Sequence, residues 1–399
     1  MAAAARRSAR RAMAACLAAL VVSACTGHHD EPGTSAGTGD GLRLGGNLPA
    51  ARTSTATPAE PATTPMARAL AAVPPSVLYA SFTDLAALRR DLGYAQTDSE
   101  SPAGERFAFW EDARVAGTML TGTRLYDDVS VMEADYGWTA DDVAWEIDFS
   151  GNETGCLEDM ICDPSGGSVL SLRPGVSART VIQSLDRNGF TLEPGGQTWS
   201  TESGNEPFTQ AVYLPELNAV ALGNAIGLRR IVEVAGGAPS LADQIPTLGA
   251  ALGSPLSAYV DTTGCVSLGE ALGPDATDGD RRAFAKANDV ADLASASAWA
   301  VTIDSDDSAS SLLDLGADDP DATVSTVAPS DEVALRSAVL SRWASVQAGV
   351  DFGDVAAGVV TVGGQLERVE YDVQAMPTFA AMVLTHDAPW ALCATSAAG

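Results

Sequence analysis

A chain of 399 residues with a net charge of −29 repels nucleic-acid phosphates and anionic lipid headgroups alike, which excludes electrostatic binding to either. Its 46% of hydrophobic residues suffice for more than one core, yet beyond residue 25 no run approaches the 18 uninterrupted apolar residues of a membrane span. Only three histidines occur, His28, His29 and His386, and no phosphate-cradling motif is found, so no cofactor and no metal centre is indicated.

The chain opens with Arg6, Arg7, Arg10 and Arg11 and no acid, followed by an apolar stretch from Ala12 to Ala24 that is too short to span a bilayer. A basic region, a short apolar region and small residues before a boundary describe a secretory signal peptide over 1–24. Val22-Ser23-Ala24-Cys25 resembles the lipobox of bacterial lipoproteins. That resemblance implies cleavage before Cys25, lipidation of its thiol, and a location on the outer face of the cell membrane. Removing residues 1–24 takes the charge to −33, since they carry four arginines and no acid. Residues 25–65 follow as a linker rich in Gly, Pro, Ser, Thr and Ala, too poor in large apolar residues to fold. As a flexible chain it reaches about 35 Å.

From residue 66 the sequence repeats itself. PPSVLYASFTDLAALRRDLG (74–93) lies over SPLSAYVDTTGCVSLGEALG (254–273) without a gap at an offset of 180, with Tyr79 on Tyr259. Each copy predicts a short strand, then an amphipathic helix ending at a glycine. At an offset of 154, AWEIDF (144–149) meets AWAVTID (298–304), placing Trp145 on Trp299. Further on, SVLSLRPGVSARTVIQSL (168–185) meets ATVSTVAPSDEVALRSAVL (322–340), each predicting a strand and a helix capped by Ser177 or Ser330. Hairpins are predicted at Pro215-Glu216 and Gly363-Gly364. The fold class is therefore α+β, in two tandem duplicated domains, 66–243 and 244–399, each a mainly antiparallel sheet with helices on one face.

The change of offset gives the first copy 26 extra residues, within an insertion at about 104–143. Trp110, Tyr126, Tyr136 and Trp138 crowd there with Asp127, Asp128 and Asp135. Aromatics beside carboxylates form a candidate binding groove for a cationic or hydroxyl-rich ligand, against the plainer reading of the rings as core anchors. Four cysteines remain after Cys16 and Cys25 are set aside, and in an exported chain they permit three pairings, of which local closure favours Cys156–Cys162 with Cys265–Cys393.

Catalytic signatures are lacking. The single G-x-S-x-G match, around Ser35, lies in the linker with no strand or helix beside it, and His386 has Asp387 next to it but no activated nucleophile. The acidic loop 304–321 departs from a calcium-binding pattern, with Ala309 where glycine is needed, and reads as a solvated loop like 274–280. The acids Asp127-Asp128 and Asp141-Asp142 offer carboxylates for a glycosidase, but neighbours in sequence do not face one another. These features imply a non-catalytic binding or scaffold protein, held to the membrane through Cys25 and meeting an envelope ligand or protein partner. The alternative is a cell-wall or glycan-processing hydrolase using paired acids.

Overall fold

In the computed structural model the described residues are 64–116, 119–120, 139–156, 162–176, 178–187, 189–193, 198–201, 210–263, 266–267, 277–287, 298–304, 321–327, 356–363, 366–373, 376–384 and 392–393. The first half runs through α1 (Pro65–Ala72), β1 (Val77–Thr83), α2 (Leu85–Asp91), α3 (Ala103–Ala116), β2 (Val143–Cys156), β3 (Cys162–Leu172) and α4 (Ala178–Arg187). It continues with β4 (Thr191–Leu192), β5 (Thr198–Ser200), β6 (Gln210–Leu214), β7 (Ala219–Gly223) and α5 (Ala225–Ala235). Then come α6 (Leu241–Gln244), α7 (Pro246–Ala251), β8 (Ser257–Asp261), β9 (Val266–Ser267), α8 (Asp278–Ala287), β10 (Ala298–Ile303) and β11 (Asp321–Val327). The chain closes with β12 (Ala356–Gly363), β13 (Leu366–Val373), α9 (Met376–Leu384) and β14 (Leu392–Cys393).

Local chemistry accounts for several element ends. Thr64 accepts the Ala67 amide to start α1, and Asp84 accepts the Ala87 amide at 2.9 Å to start α2. The chain leaves α2 through Gly93 at φ +84°, the glycine stop expected from sequence. The hairpin expected at Pro215 is formed, with a 3₁₀ turn over Pro215–Leu217 and Asn218 in the left-handed region. The second expected hairpin is formed by β12 and β13, which close on the pair Gly363–Leu366. In the second half β9 follows β8, and residues 268–276, which hold most of the expected helix, lie outside the described residues.

Twelve strands form one sheet in the order β12-β13-β11-β10-β8-β1-β2-β3-β7-β6-β5-β4, antiparallel at every pairing. The sheet is thus the mainly antiparallel one expected, but the two halves share it. Residues 63–399 form one compact unit, and the boundary expected at 243/244 falls inside α6. Outward from the centre the first half reads β1-β2-β3-β7-β6 and the second β8-β10-β11-β13-β12. Leaving aside the short outer strands β4 and β5, each half has its strands in the order first, second, third, fifth, fourth. At the centre, Ala80 pairs with Val260, with Tyr79 opposite Asp261 and Ser81 opposite Tyr259. Those partners are related by the same offset of 180, so a local two-fold axis runs through the Ala80–Val260 pair.

Helices cover both faces of the sheet, which corrects the expectation of one. On the first face, Ala80, Phe82, Trp145, Ile147, Val169, Ala221, Val260 and Ala300 pack under α1, α5, α6 and α7. On the second, Leu170, Leu172, Val220 and Leu222 pack under α2, α3 and α4. The reason lies in β3 and β7, which are apolar at successive positions, so both faces need cover. Where α5 meets β3 the backbones touch: a Cβ on Gly227 would lie 2.2 Å from the Gly166 carbonyl oxygen, and one on Gly223 2.6 Å from it. Glycine is required there by close approach.

Trp145 and Trp299 do not occupy equivalent places. Ser81 pairs with Asp148, and its counterpart Asp261 pairs with Trp299, so Trp299 stands where Asp148 stands in the first half. The structural offset is 151 instead of 154, and an odd shift moves a side chain to the other face. Trp145 lies in the core of the first face against Phe82, whereas Trp299, between Ala298 and Ala300, points to the second.

Candidate functional site

Two polar-aromatic clusters lie on the second face. The first is built from α3, the turn before β2 and α2. Arg106 and Trp110 are four residues apart on α3 and so share a face of it. Between them sits Asp141, in a 3₁₀ turn (Ala140–Asp142) whose backbone is capped by Thr139. Asp141 accepts the Trp110 indole N–H at 2.8 Å, Arg106 Nε at 2.6 Å and the Thr139 hydroxyl at 3.1 Å. Asp142 accepts the Ser99 hydroxyl at 2.6 Å.

Arg89 of α2 lies beneath this turn. It donates to the carbonyls of Val143 at 2.7 Å and Ala140 at 3.0 Å, and its guanidinium stacks 5.0 Å from the Phe109 ring centre. Burial, and then Arg173, pull Arg89 down to about 10 against Asp141, Asp142 and Glu146, so it stays cationic at neutral pH. Arg173 also donates to the Thr97 carbonyl. Each charge here has a structural partner, and the cluster fastens the insertion to the sheet.

Trp110 is 2% exposed, so the structure makes it a core anchor and not a ring lining an open groove. Asp141 and Asp142 share no reaction centre: one holds Trp110 and Arg106, the other Ser99. Of the other candidates in the insertion, Tyr126, Asp127, Asp128, Asp135, Tyr136 and Trp138 lie outside the described residues, as do Cys25 and His386. In the 274–280 acidic segment, Asp280 caps α8: its carboxylate accepts the Thr277 hydroxyl at 2.6 Å and amide at 2.9 Å. These bonds hold the Asp280 carboxyl below the usual range.

The second cluster sits at the two-fold axis. Tyr259 lies between Tyr79 and Trp299 in a stack, with ring centres 5.7 Å and 5.4 Å apart and planes within 28°. Asp261, opposite both Tyr79 and Trp299, accepts the Thr263 amide at 2.7 Å and hydroxyl at 2.6 Å. Burial, then Asp261 and Tyr79, push the Tyr259 hydroxyl far above its ordinary range, so it remains a neutral donor.

The equivalence found above explains an asymmetry here. Trp299 covers Tyr259, which is buried, while Asp148 takes the corresponding place beside Tyr79, which is 37% exposed. Both Asp148 carboxylate oxygens are withdrawn from solvent. The result is a half-open aromatic ring at the end of the stack, suited to cationic or hydroxyl-rich groups, with the Asp148 and Asp261 carboxylates beside it withdrawn from solvent. Sequence reasoning placed such chemistry in the insertion and missed this cluster, although the Tyr79–Tyr259 match carried its signal.

Backbone register also bears on the cysteines. Cys156 and Cys162 stand directly opposite each other on β2 and β3. β14 runs parallel to β9, with Cys393 opposite Ser267; Cys265 itself lies outside the described residues. No helix among the described residues is long and apolar enough to cross a membrane.

No protein-family model matches the chain, and no curated protein matches it. Among solved structures, the fold is similar to those of TP0453 in crystal forms I and III. Both are 10% identical and cover 79% of this chain, spanning 96% and 97% of theirs, with TM-scores of 0.33 and 0.34.

Proposed function

We propose that this protein is a lipid-anchored, extracytoplasmic lipoprotein that binds or scaffolds a component of the bacterial cell envelope without catalysing a reaction. The reading is carried by one arrangement. A lipobox-like Val22–Cys25 is followed by a polar, glycine- and proline-rich stretch, and the compact unit begins only at Thr63. A fold placed some 40 residues beyond its anchor is held near the membrane and free to reach an envelope partner. On this reading Cys25 carries the lipid, and the charge of −33 left after cleavage keeps the domain off anionic lipid heads.

The two halves we take as duplicated copies, supported by their common strand order and the two-fold through Ala80 and Val260. The binding role finds its chemistry at Tyr79, where a stacked ring reaches solvent between Asp148 and Asp261. Against the hydrolase alternative stands the engagement of Asp141 and Asp142 in fold-stabilising hydrogen bonds. In an exported chain the cysteines pair as Cys156–Cys162 and Cys265–Cys393.

The test is fractionation of a bacterial host making the chain or its Cys25→Ala variant. The chain is expected in the membrane fraction after a high-salt wash, and the variant in the soluble or secreted fraction. Salt-resistant membrane retention of the variant overturns the reading.

A further inference from the structure

β2 and β3 are longer than the sheet that holds them. β1 pairs with β2 only as far as Gly151, and β7 pairs with β3 only from Gly167 onward. Beyond those points, residues 152–156 and 162–166 continue as a two-stranded arm, with no further strand on either edge among the described residues. The arm leaves the sheet at Gly166, where the start of α5 presses on the backbone. It also contains a break in register between Ser150 and Thr154. A lone two-stranded ribbon with a bulge at its root is only marginally stable in water.

We infer that a disulfide between Cys156 and Cys162 staples this arm at its tip. The two are the last residues of the ladder, directly opposite each other, with the five residues 157–161 between them. Directly opposed residues in an antiparallel pair have Cα atoms about 4.5 or 5.5 Å apart, depending on the hydrogen-bonding position. Both values lie within the roughly 4.4–6.8 Å that a disulfide spans, so this register suits the bond.

The chemistry balances as a thiol–disulfide exchange. The Cys156 and Cys162 thiols give up two protons and two electrons, and the disulfide of an extracytoplasmic thiol oxidase is reduced to a dithiol. The inference rests on the export proposed above, because that oxidant is met only outside the cytoplasm.

The test uses full-length chain extracted in detergent from the bacterial membrane without reductant. Free thiols are blocked with N-ethylmaleimide, and the denatured chain is cut with trypsin and a glutamate-specific protease for mass spectrometry. The expected product is Thr154–Glu158 linked to Asp159–Arg179, since trypsin spares the Arg173–Pro174 bond, falling apart on reduction and carrying no maleimide beforehand. Maleimide on both cysteines of a chain whose Cys25 is acylated overturns the inference and leaves export standing, as does linkage of either to Cys265 or Cys393. A chain that retains residues 1–24 fails on export instead. For that case, chain made in the cytoplasm is treated with oxidised glutathione: formation of the same linked pair upholds the geometry, and two glutathionylated cysteines refute it.

Discussion

The two halves of the sheet agree at their centre and diverge outward. Around Ala80 and Val260 the pairing is symmetric to the residue, and Tyr79 and Tyr259 take equivalent positions. One strand further out the correspondence is already altered in content: Asp148 flanks Tyr79 where Trp299 flanks Tyr259. That exchange leaves one tyrosine buried and the other partly open, with a carboxylate beside it. Still further out, among the described residues, the first half carries an insertion locked by Trp110, Asp141 and Arg106, and two short edge strands. Two halves with the same strand order thus present unlike surroundings at matched positions.

The largest expected effect separates the two tryptophans that sequence comparison pairs. Trp145→Ala empties the first-face core and Trp299→Ala removes the outer ring of the second-face stack, each costing about 3–5 kcal/mol in chemical denaturation. They pack on opposite faces and share no partner in the described contacts, so the double variant should lose the sum of the two within about 0.5 kcal/mol. A coupling well above that returns them to one shared site.

Next in size is the lock formed by Trp110, Asp141 and Arg106 in the first half. Asp141→Asn keeps the shape of the turn but removes the charge facing Arg106, with an expected loss of about 2 kcal/mol. Fluorescence of Trp110 should shift with it, since its indole N–H loses a carboxylate acceptor. An unchanged denaturation midpoint contradicts the role given to this cluster. A comparable effect of about 1–3 kcal/mol is expected for Gly227→Ala, whose methyl group meets the Gly166 carbonyl. Gly104→Ala, in open space on α3, should instead stabilise by about 0.5 kcal/mol. Equal effects of the two glycine variants sink the close-contact explanation.

What the sequence made legible follows range. The α2 stop at Gly93 and the turn at Pro215 depend on a few neighbouring residues, and each was readable. The match at offset 180 was readable too, because no gap interrupts it, and its two segments pair with each other at the sheet centre. The alignment of Trp145 with Trp299 failed because it follows an insertion, where a slip of three residues costs nothing in similarity and everything in facing. The placement of helices on both sides was hidden because a continuous apolar strand such as β7 reads the same whether one half of its residues or all of them need covering. Trp110 looked like a ligand-binding ring since its partner Asp141 is 31 positions away. The spacing of Arg106 and Trp110 on one helix face was the only local hint of a shared acceptor.

The most direct test of the account as a whole is the intact mass of the mature chain extracted from bacterial membranes. A chain beginning at Cys25 and carrying acyl mass on that residue, with residues 1–24 absent, is the expected result. A chain of unmodified mass, with a free Cys25 thiol or with residues 1–24 still attached, contradicts the lipid anchor and the envelope role drawn from it.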